Sequence, residues 1–225
     1  MSYDIITIGD CMRDIFLFPA PDEMEKPVSD EEIKSREHLP AVCPPSRESH
    51  GKADFEEYLV FGLGDKITID DVEFSIGGTA ANVAAGSAKL GLKTGIISAI
   101  GGDNAGQEII DTLKGKKVET GQIKVYKSKK SSFSVIISYK GERTIFVYHA
   151  FEPESFFLPK ELKTAWLYLG PMAKGYERIF NQIVSSVVNR NIKVAINPGA
   201  IQIKNGLGSF GGLSRLIEII FLNRE

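Results

Sequence analysis

Cysteine is scarce in this chain. Cys11 and Cys43 are its two examples in 225 residues. They could pair with each other, but two do not make the disulfide framework of a small secreted domain. Histidine is nearly as sparse, and His38, His50 and His149 share no ligand spacing with the cysteines, which argues against a structural metal. No charge of one sign dominates. The net charge is −2, and Lys127, Lys129 and Lys130 form a short cluster that reads as a solvated loop, so there is no electrostatic case for nucleic acid. No apolar run approaches the ~18 residues of a membrane helix. Asp4, Asp10, Arg13 and Asp14 interrupt any signal-peptide core near the start, so the expected compartment is the cytoplasm and no membrane partner is expected.

What is present is ordinary globular material, 43% hydrophobic and 25% charged. Tyr3–Ile8 is a β-branched apolar run closed by Gly9, which predicts a buried first strand. From Phe18 to Glu57 the composition changes: six of the ten prolines, eleven acidic residues and five basic ones fall there. With little apolar periodicity, residues 18–57 read as an exposed, mobile insertion. Strand character resumes at Tyr58–Phe61, Lys66–Ile69 and Val72–Ile76. Ala81, Ala84, Ala85 and Ala88 then recur at helical spacing, Gly91 ends that helix, and Thr94–Ile100 is a further buried strand.

Ile109, Ile110 and Leu113 mark a second helix, and Lys140-Gly141-Glu142 is a hairpin turn between Phe133–Tyr139 and Arg143–Tyr148. Strands at Ala165–Leu169, Val194–Asn197 and Ile219–Leu222 alternate with helices at Tyr176–Asn191 and near Leu213–Glu218. That alternation predicts an α/β fold, a mostly parallel central sheet with helices on both faces.

Three glycine clusters invite a phosphate reading. Gly101-Gly102-Asp103-Asn104-Ala105-Gly106 follows a strand and opens a helix, as a dinucleotide fingerprint does. Asp103 stands where the second fingerprint glycine belongs, and its charge would repel pyrophosphate, which disfavours a dehydrogenase fragment. Gly208–Gly212 lacks the Lys-Ser/Thr of a P-loop and reads as a loop. Gly77-Gly78 closes a strand and places Asn82 in the first turn or so of the alanine-rich helix. This is either a tight strand-to-helix turn or a site where a neutral amide meets hydroxyl groups.

Four segments occur here in the order and wording of the ribokinase-like (PfkB) sugar kinases: "IITIGDCMRDIF", "GDKITIDDVEFSIGGTAANVAAGSAKLGLKTGIISAIGGDNAGQEIIDTLKGKKVET", "SYKGERTIFVYHA" and "FLNRE". The chain resembles that family over nearly everything except residues 18–57. The resemblance implies a substrate domain with a small β lid, built here from strands within 58–76 and 133–148. It also implies transfer of the ATP γ-phosphate, with Mg2+, to a sugar or nucleoside hydroxyl, and a possible homodimer through the lid.

By the same resemblance Asp14 accepts hydrogen bonds from substrate hydroxyls, and Gly77, Gly78 and Asn82 line the sugar pocket. Glu142 falls at a substrate-contacting glutamate of some members, and Asn223 at an asparagine near the ATP phosphates and magnesium. Met12 departs from the polar residue that many members place there. The family's catalytic aspartate, in a Gly-Ala-Gly-Asp turn, has no counterpart, since Asp111 is the last aspartate in the sequence. The expectation is therefore a single truncated domain over 1–225, the substrate-binding part of a kinase without its base. The alternative is a sugar- or nucleoside-binding module that does no chemistry.

Overall fold

The structure, a computed structural model, describes residues 2–20, 64–188 and 190–222. Among these residues lie ten strands, in chain order β1 (Tyr3–Ile8), β2 (Met12–Pro19), β3 (Ile69–Gly77), β4 (Thr94–Gly101), β5 (Ile123–Tyr126), β6 (Ser132–Tyr139), β7 (Glu142–Tyr148), β8 (Thr164–Leu169), β9 (Lys193–Ile196) and β10 (Ile217–Ile220). Four α-helices accompany them among the described residues: α1 (Thr79–Lys89), α2 (Asn104–Gly115), α3 (Tyr176–Val187) and α4 (Ala200–Asn205).

Six strands make one parallel sheet in the order β10-β9-β8-β1-β4-β5. Its two faces carry separate cores. On one face Ile6, Ile8, Ile97, Leu167 and Ile196 pack with Tyr176, Ile179, Phe180 and Ile183 of α3. Those α3 residues recur at the i, i+3, i+4, i+7 spacing of a one-sided apolar stripe. On the other face Ile96 and Ile100 meet Ala80, Ala81 and Ala84 of α1 and Ile109 and Leu113 of α2. The small side chains matter here: Ala80 lies against Gly9 and Gly170, so α1 sits close to the ends of β1 and β8. The expected mostly parallel sheet with helices on both faces is what the chain forms.

The other four strands make a second sheet, β3-β2-β6-β7. β2 runs antiparallel to β3 and parallel to β6, and β6–β7 is the expected hairpin. Its turn has positive φ at both Lys140 (49°) and Gly141 (83°), as a two-residue hairpin loop needs.

Several expectations change. Residues 66–76 were expected as two strands, yet β3 is one strand of nine residues that begins at Ile69. The acidic excursion was expected from residue 18, but Phe18 and Pro19 finish β2 and Ala20 is buried. Residues 21–57 and the expected strand at 58–61 lie outside the described residues, as do Cys43 and Asn223. β2, β5 and α4 had no sequence signal of their own. The helix expected near Leu213–Glu218 is instead a 3-10 stretch, Leu207–Arg215, followed directly by β10.

Candidate functional site

A cavity of about 610 Å³ opens between the second sheet and the ends of the parallel strands. Strand alternation decides what lines it. Met12, Asp14 and Phe16 point in from β2, Ser134 and Ile136 from β6, and Arg143, Ile145 and Val147 from β7, with His149 just beyond it. The start of α1 contributes Gly78, Thr79 and Asn82 from the opposite side. Asp14, Gly78 and Asn82, singled out separately in the sequence, thus converge on one space.

Asp14 is held in place. The Ser134 hydroxyl, its neighbour across β2–β6, donates to Oδ1 at 2.6 Å. Burial raises the carboxyl's pKa, and the Ser134 hydrogen bond opposes part of that rise. Gly77 explains how the carboxylate fits, because a Cβ there would overlap it. Gly78 has φ 91°, and a Cβ on it would strike the Asp10 carbonyl oxygen. The glycine pair therefore meets two parts of the chain itself, the Asp14 side chain and the Asp10 backbone, while Gly78 also faces the cavity. Asn82 is anchored through its backbone, which donates to Gly78 O at 3.0 Å.

Glu142 does not join them. It starts β7 at the hairpin tip, exposed, and it is Arg143, the next residue, that lines the cavity. Arg143 and His149 were both missed by the sequence reading. The signal available was the alternation 143, 145, 147, 149 along one strand, which puts all four on the face that holds Asp14. His149 Nδ1 lies 3.0 Å from Asp10 Oδ2, across 139 residues of sequence. That hydrogen bond raises the imidazole pKa, burial lowers it, and the Asp10 charge raises it further, with a net upward shift.

The other glycine cluster is architectural. Asp103 caps α2 by accepting from Gly106 N at 3.0 Å, and it also accepts from the Ser131 amide and hydroxyl at 3.0 and 2.6 Å. Burial alone would raise the Asp103 pKa; these hydrogen bonds outweigh it and hold the carboxyl below its ordinary value. Side chains at Gly101 or Gly102 would collide with the backbone of residues 127–131. Cys11 is likewise core: burial pushes its thiol up to about 12, against the Ser98 hydrogen bond, so it is no nucleophile. Among the described residues no three His, Cys, Asp or Glu side chains converge as a protein-built metal site would need.

The fold and the cavity together define a ribokinase-like α/β protein. Over 97–100% of its length the chain matches solved structures of that class. Against ribokinase from Giardia lamblia the TM-score is 0.67 at 14% identity, covering 58% of that chain. Against Arabidopsis thaliana ribokinase complexed with ribose and ATP it is 0.62 at 17% identity, covering 61%. A ribokinase from Cryptococcus neoformans in complex with ADP gives 0.62 at 17%, covering 56%.

The pfkB family carbohydrate kinase model matches residues 53–173, and the chain belongs to that family. Two curated relatives are similar over shorter stretches. The 5-dehydro-2-deoxygluconokinase of Bacillus velezensis is 35% identical over 95 residues, 41% of this chain and 28% of that protein. The 5-dehydro-2-deoxygluconokinase 1 of Bacillus cereus is 44% identical over 50 residues, 22% of this chain and 15% of that protein. The chain thus spans about three-fifths of the solved relatives and aligns with under a third of the curated ones.

Proposed function

We propose that this chain supplies the substrate-binding part of a cytoplasmic PfkB-type kinase that transfers the ATP γ-phosphate to a hydroxyl of a sugar or nucleoside. One observation carries the reading: Asp14, its carboxylate fixed by Ser134, faces Asn82 and Gly78 across a single cavity. A carboxylate accepts hydroxyl protons in charge-assisted hydrogen bonds, and an amide can both donate and accept, so a hydroxyl-rich ligand is matched on two sides. The second sheet acts as the lid over that ligand. A homodimer through its outer face is part of the same reading, supported by the exposure of Val72, Phe74, Phe146 and Tyr148 there.

Asn223 is assigned to the ATP side. When bound, ATP with Mg2+ would supply the transferring phosphoryl group. The described residues only hold and orient the acceptor, and Glu142 touches the substrate only if the hairpin tip folds over it. No aspartate follows Asp111, so on this reading the chain does not complete transfer by itself. That same observation favours the second reading, a sugar-binding module that does no chemistry.

Calorimetry on the full 225-residue chain against pentoses, hexoses, aldonates and nucleosides tests the proposal. Asp14→Ala should weaken the best ligand by about 1.5–3 kcal/mol, the worth of hydrogen bonds to a charged group. A coupled ADP-release assay on the same preparation should show no turnover near ~1 s⁻¹, the lower end for kinases. Silence across the whole panel would overturn the binding site; kinase-like turnover would overturn the division of labour.

A further inference from the structure

Two carboxylates line the cavity, and a carboxylate can only accept. Asp14 Oδ1 already takes the Ser134 proton at 2.6 Å, and Asp10 Oδ2 faces His149 Nδ1 at 3.0 Å. A hydroxyl that gives its proton to either acid is left with an oxygen that needs a donor of its own. With the Ser134 proton spent on Asp14, the side-chain donors beside the two acids are Thr79, Asn82 and His149. His149 alone of these three changes with pH.

Asp10 settles what the imidazole can offer. Its side chain is 13% exposed just past β1, and as an acceptor it keeps a proton on Nδ1 in either charge state of the ring. Nε2 has no partner among the described residues. In the neutral ring Nε2 is a bare acceptor that competes with the carboxylates for the same hydroxyl protons; in the imidazolium it is a donor. The strand register leaves room for a ligand between these groups. Asp14, Ser134 and Val147 form one row across β2, β6 and β7. His149 follows Val147 by two residues, about 7 Å along the strand line, a step that one sugar ring spans.

We infer that His149 contacts the ligand, donating Nε2–H to the oxygen of a hydroxyl whose own proton goes to Asp14 or Asp10, so that the cavity takes up a proton with its ligand. This rests on the hydroxyl-binding reading above and deepens it. The Asp10 hydrogen bond, outweighing burial, holds the imidazole above its ordinary value, so the exchange falls above about pH 6.5. The charged groups around the ring are Asp10, Asp14 of β2 and, further along the same sheet face, Arg143 of β7 with Glu73 and Asp71 of β3. The lining segments from α1, 171–173 and 199–201 bring none.

Neutral probes test the inference, since any proton exchanged with them belongs to the protein: D-ribose, D-glucose, D-glucitol and adenosine. Calorimetry on the full chain, in two buffers of different ionisation enthalpy, should show the best-bound probe weakening on the order of tenfold from pH 6 to 8.5. Net proton uptake on binding should appear within that range. His149→Gln keeps an amide with two donor protons and no titration, so its affinity should lie between the wild-type extremes and stay level. His149→Phe keeps a ring without a donor, and should bind on the order of tenfold more weakly than the wild type at pH 6. An unchanged far-ultraviolet spectrum would show that the variants fold. Wild-type affinity that is level or rises with pH overturns the inference and leaves the hydroxyl site standing. So does a fall that persists in His149→Gln, which would put the proton on Asp14 or another group. If none of the four probes binds at any pH, the hydroxyl site and the inference fall together.

Discussion

Every residue of β4 is buried, and every residue of β7 is exposed. The two strands are nearly equal in length and both are rich in apolar side chains, so composition does not separate them. Position does. β4 lies inside the parallel sheet with cores on both faces, whereas β7 is the edge of the second sheet, one face to the cavity and the other to solvent. Helices enforce burial on the first sheet, whereas the rim of the second is held by backbone pairing with β6 and by the Phe133–Tyr148 ring contact at 5.4 Å. Stability should therefore reside in the parallel sheet and recognition in the other, the usual division between a rigid scaffold and the element that meets ligand.

The sharpest way to break that contrast is to cut the parallel core. Leu167→Ala removes a side chain with no exposure, packed between β1 and β9, and should cost about 2–5 kcal/mol in urea unfolding. A loss under ~1 kcal/mol would show that the core is less closely packed than the structure implies.

A smaller effect should come from the strap between the two sheets. His149, just past β7, is held above its ordinary pKa chiefly by its hydrogen bond to Asp10 at the end of β1, with burial opposing. Its contribution is complete below about pH 6.5, where the unfolded chain is protonated too. It drains away as the pH rises through the higher value of the folded chain. Because the imidazole is half-exposed, the contribution should not exceed about 1 kcal/mol. The gap in urea midpoint between wild type and His149→Gln should accordingly shrink from pH 6 to 8.5; a gap that widened with pH would reverse the assignment.

The smallest effect is expected on the outer face of the second sheet. Phe146 is 58% exposed, and Phe146→Ala should change monomer stability by no more than about 0.5 kcal/mol. A larger loss that depends on protein concentration would mean that a second copy covers this face, as the homodimer reading requires.

The contrast between the sheets also governs what the sequence could reveal. β1, β4 and β8 announce themselves because burial on both faces demands uninterrupted apolar runs, and α1 does so through alanines that must clear Gly9 and Gly170. β2 stayed hidden because Arg13 and Asp14 break its apolar run. Their roles depend on distant partners: Arg13 stacks over the Phe74 ring at 4.5 Å and reaches Glu108, and Asp14 needs Ser134. α4, six residues long, is too short for periodicity to register.

At the site, Asp14, Gly77, Gly78 and Asn82 were legible through local wording that matches a family. Arg143 and His149 were not, because their significance comes from strand register and from a contact 139 residues away. Family wording points to Glu142, yet one position along a strand exchanges one face for the other, and it is Arg143 that lines the cavity.

One consequence concerns heredity more than energetics. The space that a side chain at 77 would fill is the space occupied by the carboxylate of Asp14. The two positions, 63 residues apart in sequence, therefore share a single vacancy. Any lineage that places a methyl group at 77 has in effect already displaced residue 14, and a later change of the aspartate costs it little more. In a saturation screen for ligand binding, codons 14 and 77 should score as one genetic locus, each masking loss of the other.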